Sequence, residues 1–213
     1  MGSERILFKL ETENCLIIFI KNPALGKVKT RLAKEIGEGP ALAVYLKLLN
    51  HTLSVTQNLS CDKVVCYSDF VDMEDDWENE IFEKSIQSGG DLGQRMKNAF
   101  FNQFNSEYKK VCIIGSDIPG LSEEIVNEAF NGLEARDAVI GPARDGGYYL
   151  LGMKKLISQL FENKIWGGDR VFESTLEDFR NLNLTYHQLP MLLDIDTKND
   201  LEKAWPRVKW KEK

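Results

Sequence analysis

Histidine and paired cysteine are scarce in this 213-residue sequence. It holds two histidines, and none of its four cysteines is spaced as a Cys-x-x-Cys pair. Structural zinc sites need such ligand sets, and a Ser-His-Asp or Cys-His centre needs a histidine near its nucleophile. We therefore interpret the cysteines as small buried hydrophobic residues of a reducing compartment. The same scarcity disfavours hydrolysis through a covalent triad.

Long apolar runs and an excess of positive charge are missing as well. The longest apolar run, residues 15–20, is too short to span a bilayer, and the opening segment lacks the apolar stretch of a signal peptide. We expect a cytoplasmic protein with no integral membrane segment. Its net charge of −6 disfavours nucleic acid as a partner, because that affinity depends on neutralising phosphates. An anionic ligand would need local positive charge and a recruited cation.

Short apolar runs alternate with amphipathic segments along the whole chain. Strands are predicted at 15–20, 63–67, 82–87, 110–115, 138–141 and 148–153. Helices are predicted at 40–59, 92–104, 122–133 and 169–182, with a last one starting near Thr197. The pattern predicts an α/β fold in one domain over residues 1–213, with a parallel or mixed sheet between helices. Ligands of such sheets bind beyond the carboxyl ends of the strands.

The first predicted strand runs directly into a basic loop, KNPALGKVKTRL, in an otherwise acidic protein. Pro23 and Gly26 shape the turn, and Thr30 begins a helix. Such a loop offers fixed positive charge and backbone N–H groups to a phosphate chain. The alternative is a solvated basic surface turn. Its basic residues are Lys21, Lys27, Lys29 and Arg31.

Two further segments carry the acidic residues that could hold a cation. In IGSDIPGL, the carboxylate of Asp117 follows Ser116 where the strand ends, and suits a hard cation or a turn cap. In LDIDTKNDL, Asp194 and Asp196 are two apart on an extended segment, so we expect their side chains to face opposite ways. Only one of them should then join Asp117 at a common ion, unless both belong to a solvated acidic tail.

Two glycine-rich segments complete the set. GPARDGGYYLLG combines Asp145 with a Gly146–Gly147 turn and a tyrosine, Tyr148 or Tyr149, that could stack on a sugar or a base. The alternative is a simple β-hairpin. GGDLGQRM enters a helix, and its Asp91 or Arg95 could touch a ribose or a base, or Asp91 could only cap that helix.

Taken in order, these five segments resemble a family of small bacterial and archaeal glycosyltransferase-like proteins, formerly a domain of unknown function. That family looks like the GT-A type of the nucleotide-diphospho-sugar transferase fold, and the resemblance covers about residues 15–205. It implies a three-layer α/β/α architecture with a mixed, mainly parallel sheet. It also implies a nucleotide or sugar-nucleotide donor, and Mg²⁺ or Mn²⁺ as the cofactor.

The resemblance implies residue roles too. Catalytic roles fall to Asp117, Lys29, Arg31 and Asp145. Asp117 and Asp196 would bind the cation, with Asp194 as the alternative ligand. Nucleotide contacts fall to Lys21, Pro23, Gly26, Lys29, Thr30, Arg31, Gly90, Asp91, Arg95 and Ser116. The transferred or accepting group would contact Asp145, Gly146, Gly147 and Tyr148.

Three functions stay open at this stage. The leading hypothesis is glycosyl transfer from a sugar nucleotide to an acceptor that the sequence does not identify. The second is nucleotidyl transfer from a nucleoside triphosphate, with release of pyrophosphate. The third is a nucleotide-binding module without turnover. Neither the base, the sugar nor the oligomeric state can be read from the sequence.

Overall fold

Seven β-strands form one mixed sheet in residues 12–206, the part of the chain that the computed structural model describes. The opening segment, where no signal peptide is expected, lies mostly outside this range. The strands are β1 (Asn14–Ile20), β2 (Asp62–Tyr67), β3 (Glu83–Ile86), β4 (Lys110–Gly115), β5 (Ala138–Pro142), β6 (Tyr148–Met153) and β7 (Tyr186–Gln188). The helices are α1 (Thr30–Ile36), α2 (Glu38–Thr56), α3 (Leu92–Asn105), α4 (Glu123–Ala135), α5 (Val171–Asn181) and α6 (Lys198–Ala204), with a 3-10 helix at Ser158–Phe161.

The strand order is β3-β2-β1-β4-β6-β5-β7. Strands β1 to β4 pair in parallel, whereas β6 is antiparallel to both β4 and β5, and β7 is parallel to β5. The predicted mixed, mainly parallel sheet is confirmed. In this arrangement the carboxyl ends of β1 and β4 lie side by side, next to the start of β6.

Alternate residues of β1 belong to different cores. Leu16 and Ile18 pack into the cluster that contains α2 and α4, whereas Cys15 and Ile17 pack into the cluster that contains α3 and α5. Because both faces of the strand are covered, its sequence is a continuous apolar run without alternation. The three-layer α/β/α arrangement is therefore confirmed, and all four cysteines are buried and free, as predicted.

Helix starts follow the expected cap chemistry. Ser122 caps α4 by accepting a hydrogen bond from the Ile125 amide, and Thr197 and Asp200 form a capping box at the start of α6. A small apolar cluster then packs Ile195 and Leu201 against α1 and α2. This cluster brings the C-terminal segment to the loop that follows β1.

The sequence did not predict β7 or the 3-10 helix. Strand β7 is a three-residue edge strand with the polar sequence Tyr-His-Gln, so it carries no hydrophobic pattern. All the strands and helices that the sequence predicted are present, with ends shifted by a few residues. No helix between residues 12 and 206 combines the length and hydropathy needed to cross a bilayer.

Candidate active site

A cavity of about 460 Å³ opens where the carboxyl ends of β1 and β4 meet the start of β6. Two parts of its lining differ in chemistry. The first, called here the charged wall, comprises Lys21, Lys29, Arg31, Asp117 and Asp196. The second, called the aromatic wall, comprises Met96, Tyr148, Trp166, Gly167 and Val171.

Lys29 is the centre of the charged wall. Its Nζ lies 3.0 Å from Oδ2 of Asp117 and 3.2 Å from Oδ1 of Asp196, and its side chain is 4% exposed. Burial lowers the pKa of Lys29, but the two carboxylates outweigh that effect, so the pKa is raised overall. The ammonium is therefore a permanent positive charge, and the solvated basic turn that the sequence left open does not describe it.

The backbone of Lys29 is itself unusual. It lies in the left-handed region, with φ 47° and ψ 45°, just before the first residue of α1. For a residue with a side chain this conformation costs of order 1–3 kcal/mol, and it persists only where surrounding contacts fix it. At Lys29 the side chain is held by the two ion pairs. Strained residues of this kind are concentrated at functional sites.

Asp117 and Asp196 come from distant parts of the chain, yet the backbone joins them. The amide of Ile195 donates to the carbonyl of Asp117 at 3.3 Å, which aligns the segment before α6 with the loop after β4. Asp117 therefore does not cap its own turn, the alternative considered above: its carboxylate pairs with Lys29. Its side chain is 46% exposed towards the cavity.

The rest of the charged wall is more exposed or is held by backbone contacts. Nη1 of Arg31 lies 3.5 Å from Oδ2 of Asp196, with 70% of the arginine side chain exposed. The hydroxyl of Tyr45 accepts from the Lys21 amide at 2.8 Å and donates to the Lys21 carbonyl at 2.9 Å. Burial raises the pKa of Tyr45, so the phenol stays protonated and keeps the start of the basic loop in place.

Asp194 and Asp196 both line the cavity, although the sequence led us to expect only one of them beside Asp117. Residues 193–196 are not a regular strand, and the alternation of a strand therefore does not apply to them. Asp194 is 9% exposed. Burial, then the charge of Asp145 and then that of Asp196, raise the pKa of Asp194 to about 6.

The turn between β5 and β6 is both a hairpin and part of the cavity lining. Oδ1 of Asp145 accepts from the Gly147 amide at 2.8 Å, so this carboxylate stabilises its own turn. Gly146 has φ 89°, and a Cβ there would lie 1.9 Å from the Asp169 carbonyl oxygen. Only glycine fits at this position.

The aromatic wall depends on a second close approach. The indole of Trp166 packs over Gly93 of α3, where an added Cβ would lie 2.3 Å from the indole Nε1. Trp166 sits in a loop whose Gly167 has φ 82°. The hydroxyl of Tyr148 reaches Sδ of Met96 at 3.7 Å. Packing of aromatic rings against glycine therefore shapes this side of the cavity.

The structure gathers most of the predicted site residues in one cavity, but not all of them. Its lining does not include Pro23, Gly26, Gly90, Asp91, Arg95 and Gly146. Asp91 caps α3 by accepting from the Gln94 amide at 2.8 Å, and Nε of Arg95 donates to the Gly89 carbonyl at 3.2 Å. Pro23 lines a separate cavity of about 150 Å³. Contacts of these residues with a nucleotide stay predictions.

Three residues that hold or line the site were not among the predicted site residues: Tyr45, Trp166 and Gln87. Tyr45 lies within the predicted helix 40–59, and nothing in the sequence indicates its hydrogen bonds to the backbone of Lys21. Trp166 lies in the segment IWGGD, where two glycines directly after the tryptophan indicate an irregular loop. The side chain of Gln87 donates to the carbonyls of Ile20 and Cys66, which fixes the ends of β1 and β2 beside the cavity.

The charged wall can be compared with what a divalent cation needs. Mg²⁺ is held in proteins by one or two carboxylates together with substrate phosphates and water. Asp117 and Asp196 converge on one point, but the Lys29 ammonium takes that point, and residues 12–206 contain no group of three or more acidic, cysteine or histidine side chains placed for a metal. These residues therefore fit a cation completed by phosphate oxygens, provided that Lys29 moves.

Known structures define the class to which this fold belongs. A Desulfovibrio desulfuricans G20 protein, named as a member of the nucleotide-diphospho-sugar transferases, superposes with a TM-score of 0.84 and 36% identity, over 91% of this chain and 87% of its own. The 4-diphosphocytidyl-2C-methyl-D-erythritol synthase of Anaerococcus prevotii superposes with a TM-score of 0.59 and 17% identity, over 91% and 94% of the two chains. The fold is that of the nucleotide-diphospho-sugar transferases.

The family follows from the sequence comparison. Residues 52–168, more than half of the chain, match the family described as "Uncharacterized protein conserved in bacteria (DUF2064)", and the chain belongs to this family. It is also similar to the 2-phospho-L-lactate guanylyltransferase of Methanocaldococcus vulcanius, with 29% identity over 190 residues, which are 87% of this chain and 82% of the relative.

Proposed function

We propose that this chain is a metal-dependent nucleotidyltransferase. An oxygen of a phosphorylated acceptor would attack the α-phosphorus of a nucleoside triphosphate, forming one P–O bond while the bond to the β-phosphate oxygen breaks and pyrophosphate leaves. One observation carries the proposal: a buried ammonium lies between two carboxylates in a cavity beyond the carboxyl ends of β1 and β4, in a chain similar over most of its length to a guanylyltransferase. This reverses the order of the two leading hypotheses from the sequence.

The charged wall suits the charge that this reaction moves. Negative charge builds up on the departing pyrophosphate, and positive groups that line a cavity stabilise that charge. Lys29 lies between two carboxylates of the cavity, the Tyr45 hydroxyl holds the backbone of Lys21, and the side chain of Arg31 is largely exposed beside Asp196. The hydroxyls of Thr30 and Ser116, which also line the cavity, can donate to phosphate oxygens.

Asp117 and Asp196 would hold the cation. When bound there, a divalent cation neutralises phosphate charge as a Lewis acid. Asp194 is the more buried carboxyl and lies beside Asp145, so we assign it a supporting role for the turn and the segment before α6.

The scarcity of histidine agrees with this chemistry. A phosphate monoester has a second pKa near 6 and is already largely a dianion at neutral pH. It therefore needs positioning more than it needs a general base. A cavity that offers charge and shape, without a Ser-His or Cys-His pair, is sufficient for such a nucleophile.

We assign the acceptor to the aromatic wall and to the adjoining turn of Asp145 and Gly147. Tyr148 and Trp166 offer flat apolar surfaces on which a carbon skeleton can stack. The relative acts on 2-phospho-L-lactate by name, so phosphorylated hydroxy acids and sugar phosphates are the first acceptors to test. GTP is the first donor to test, for the same reason.

Glycosyl transfer is the second candidate. The similarity to the Desulfovibrio protein, at 36% identity, favours it, because that protein is named for sugar-nucleotide chemistry. The same charged wall would then stabilise a departing nucleoside diphosphate. The products separate the two reactions.

The deciding experiment measures released products. The protein is incubated with Mn²⁺ or Mg²⁺ and each nucleoside triphosphate, with 2-phospho-L-lactate or a sugar phosphate as acceptor, and pyrophosphate is measured. A parallel series uses sugar nucleotides with unphosphorylated acceptors, and nucleoside diphosphate is measured. Pyrophosphate that depends on the acceptor supports the proposal. Nucleoside diphosphate alone supports glycosyl transfer, and nucleotide binding without either product supports a binding module.

A further inference from the structure

Lys29 takes the position that a cation shared by Asp117 and Asp196 would need. Its ammonium lies 3.0 and 3.2 Å from one oxygen of each carboxylate. It is also the most buried of the three groups, because its side chain is 4% exposed while those of Asp117 and Asp196 are 46% and 34% exposed. The two carboxylates are therefore more accessible to solvent than the ammonium that lies between them.

We infer that Lys29 is a built-in competitor of the divalent cation, released from Asp117 and Asp196 when a phosphate chain binds. The inference rests on the proposed function in one respect, namely that the natural ligand of the cavity carries phosphates. This competition would make the binding of the cation depend on bound nucleotide, so that a metal ion alone would not occupy the two carboxylates.

Electrostatics make simultaneous occupation unfavourable. Mg²⁺ binds oxygen at about 2.0–2.1 Å. A cation at that distance from the same oxygens would lie within a few ångströms of the ammonium, where like charges repel strongly in a partly buried site. The ammonium already supplies one positive charge to the pair of carboxylates, so it weakens the attraction of that pair for a second cation.

Displacement of Lys29 also requires a replacement partner. A buried ammonium that loses its carboxylates is left without acceptors, and such a state is strongly unfavourable. A metal ion cannot supply acceptors, whereas a phosphate chain supplies several oxygens. Nucleotide and cation should therefore bind with positive coupling, each increasing the affinity for the other by the same factor.

The test measures Mn²⁺ binding directly, by electron paramagnetic resonance of free Mn²⁺, without any turnover. The variant Lys29→Met keeps the length of the side chain and removes its charge. The matched control is Lys84→Met. The side chain of Lys84 is 3% exposed, its Nζ lies 2.7 Å from Oδ1 of Asp75, and neither residue lines this cavity. Without nucleotide, we expect Lys29→Met to bind Mn²⁺ at least tenfold more tightly than the unmodified protein, and Lys84→Met to bind as the unmodified protein does.

A second arm uses only the unmodified protein and therefore stands even if Lys29→Met does not fold. The affinity of the protein for GTP is measured by calorimetry with and without Mn²⁺, and we expect at least a tenfold gain. Equal Mn²⁺ affinity of Lys29→Met and the unmodified protein, or no coupling in the second arm, would overturn the inference. The first arm contains no nucleotide, so failure of the transfer assay and failure of this competition are separate results.

Discussion

The two walls of the cavity are built by different physical means. The charged wall joins residues from three distant parts of the chain through ion pairs, with Lys29 and Asp196 separated by 167 positions. The aromatic wall is shaped by packing, with Trp166 fitted against the bare backbone of Gly93. The comparison indicates that single charges on the first wall can be removed with little change in packing, whereas the second wall cannot be changed without moving an aromatic ring.

The largest effect is expected from Asp117→Asn on the charged wall. This change removes the more exposed carboxylate of the pair and leaves Lys29 with Asp196 alone. We expect transfer to fall by about 10²–10³-fold, the scale of losing one preorganised electrostatic contact in an active site. The measurement is the initial rate of product release, with the melting temperature as the check on folding. An initial rate within twofold of that of the unmodified protein would show that Asp117 takes no part in the reaction.

The next effect concerns donor affinity. Arg31→Ala removes an exposed guanidinium that lines the cavity and should weaken nucleotide binding by about 1.5–3 kcal/mol, the range of a hydrogen bond to a charged group. Lys27→Ala is the matched control, because Lys27 is an exposed cation of the same loop outside the cavity lining. Calorimetry with GTP and Mg²⁺ compares the two variants. An equal loss in both would mean that the loop attracts the nucleotide by its overall charge only.

On the aromatic wall, Gly93→Val should move Trp166. The new side chain would overlap the indole, so we expect the free energy of unfolding to fall by about 1–3 kcal/mol, as for other overpacked sites. The KM for the acceptor should rise several-fold while donor affinity stays the same. Gly39→Ala, where an added Cβ meets nothing within 4 Å, is the control. A change in donor affinity instead would show that the two walls are not separate binding surfaces.

The smallest effect is expected from Tyr148→Phe, which we compare with Tyr45→Phe. Tyr45→Phe removes a hydroxyl that makes two backbone hydrogen bonds to Lys21, so we expect a loss of about 0.5–1.5 kcal/mol of unfolding free energy per bond. Tyr148→Phe removes only a contact with the Met96 thioether, which is a weak acceptor. Denaturant unfolding of both variants gives the comparison. A larger loss for Tyr148→Phe would contradict the described hydrogen bonds.

Much of the fold could be predicted because local patterns determine it. Continuous apolar runs predicted β1, β2 and β4, and cap residues such as Ser122 and Thr197 predicted where helices begin. The same patterns failed at β7, where three polar residues pair only because β5 lies beside them.

The site was predictable in its membership but not in its arrangement. Asp117 was predicted as a site residue because it directly follows a strand, and Lys29 because it belongs to the basic loop. Both signals are local. No local signal shows that the ammonium of Lys29 would lie between two carboxylates, because that depends on how Ile195 and its neighbours pack against α1 and α2. The glycines after Trp166 indicate a loop, but they do not show that its indole lines the cavity, because that depends on packing against Gly93, 73 positions earlier.

A crystal structure of the protein with GTP and Mn²⁺ tests the central claim most directly, because Mn²⁺ can be located by its anomalous scattering. The account predicts an anomalous peak at the carboxylates of Asp117 and Asp196, with the Lys29 ammonium transferred to a phosphate oxygen. A nucleotide bound outside this cavity, or Lys29 still paired with both carboxylates while Mn²⁺ and GTP are bound, would contradict it.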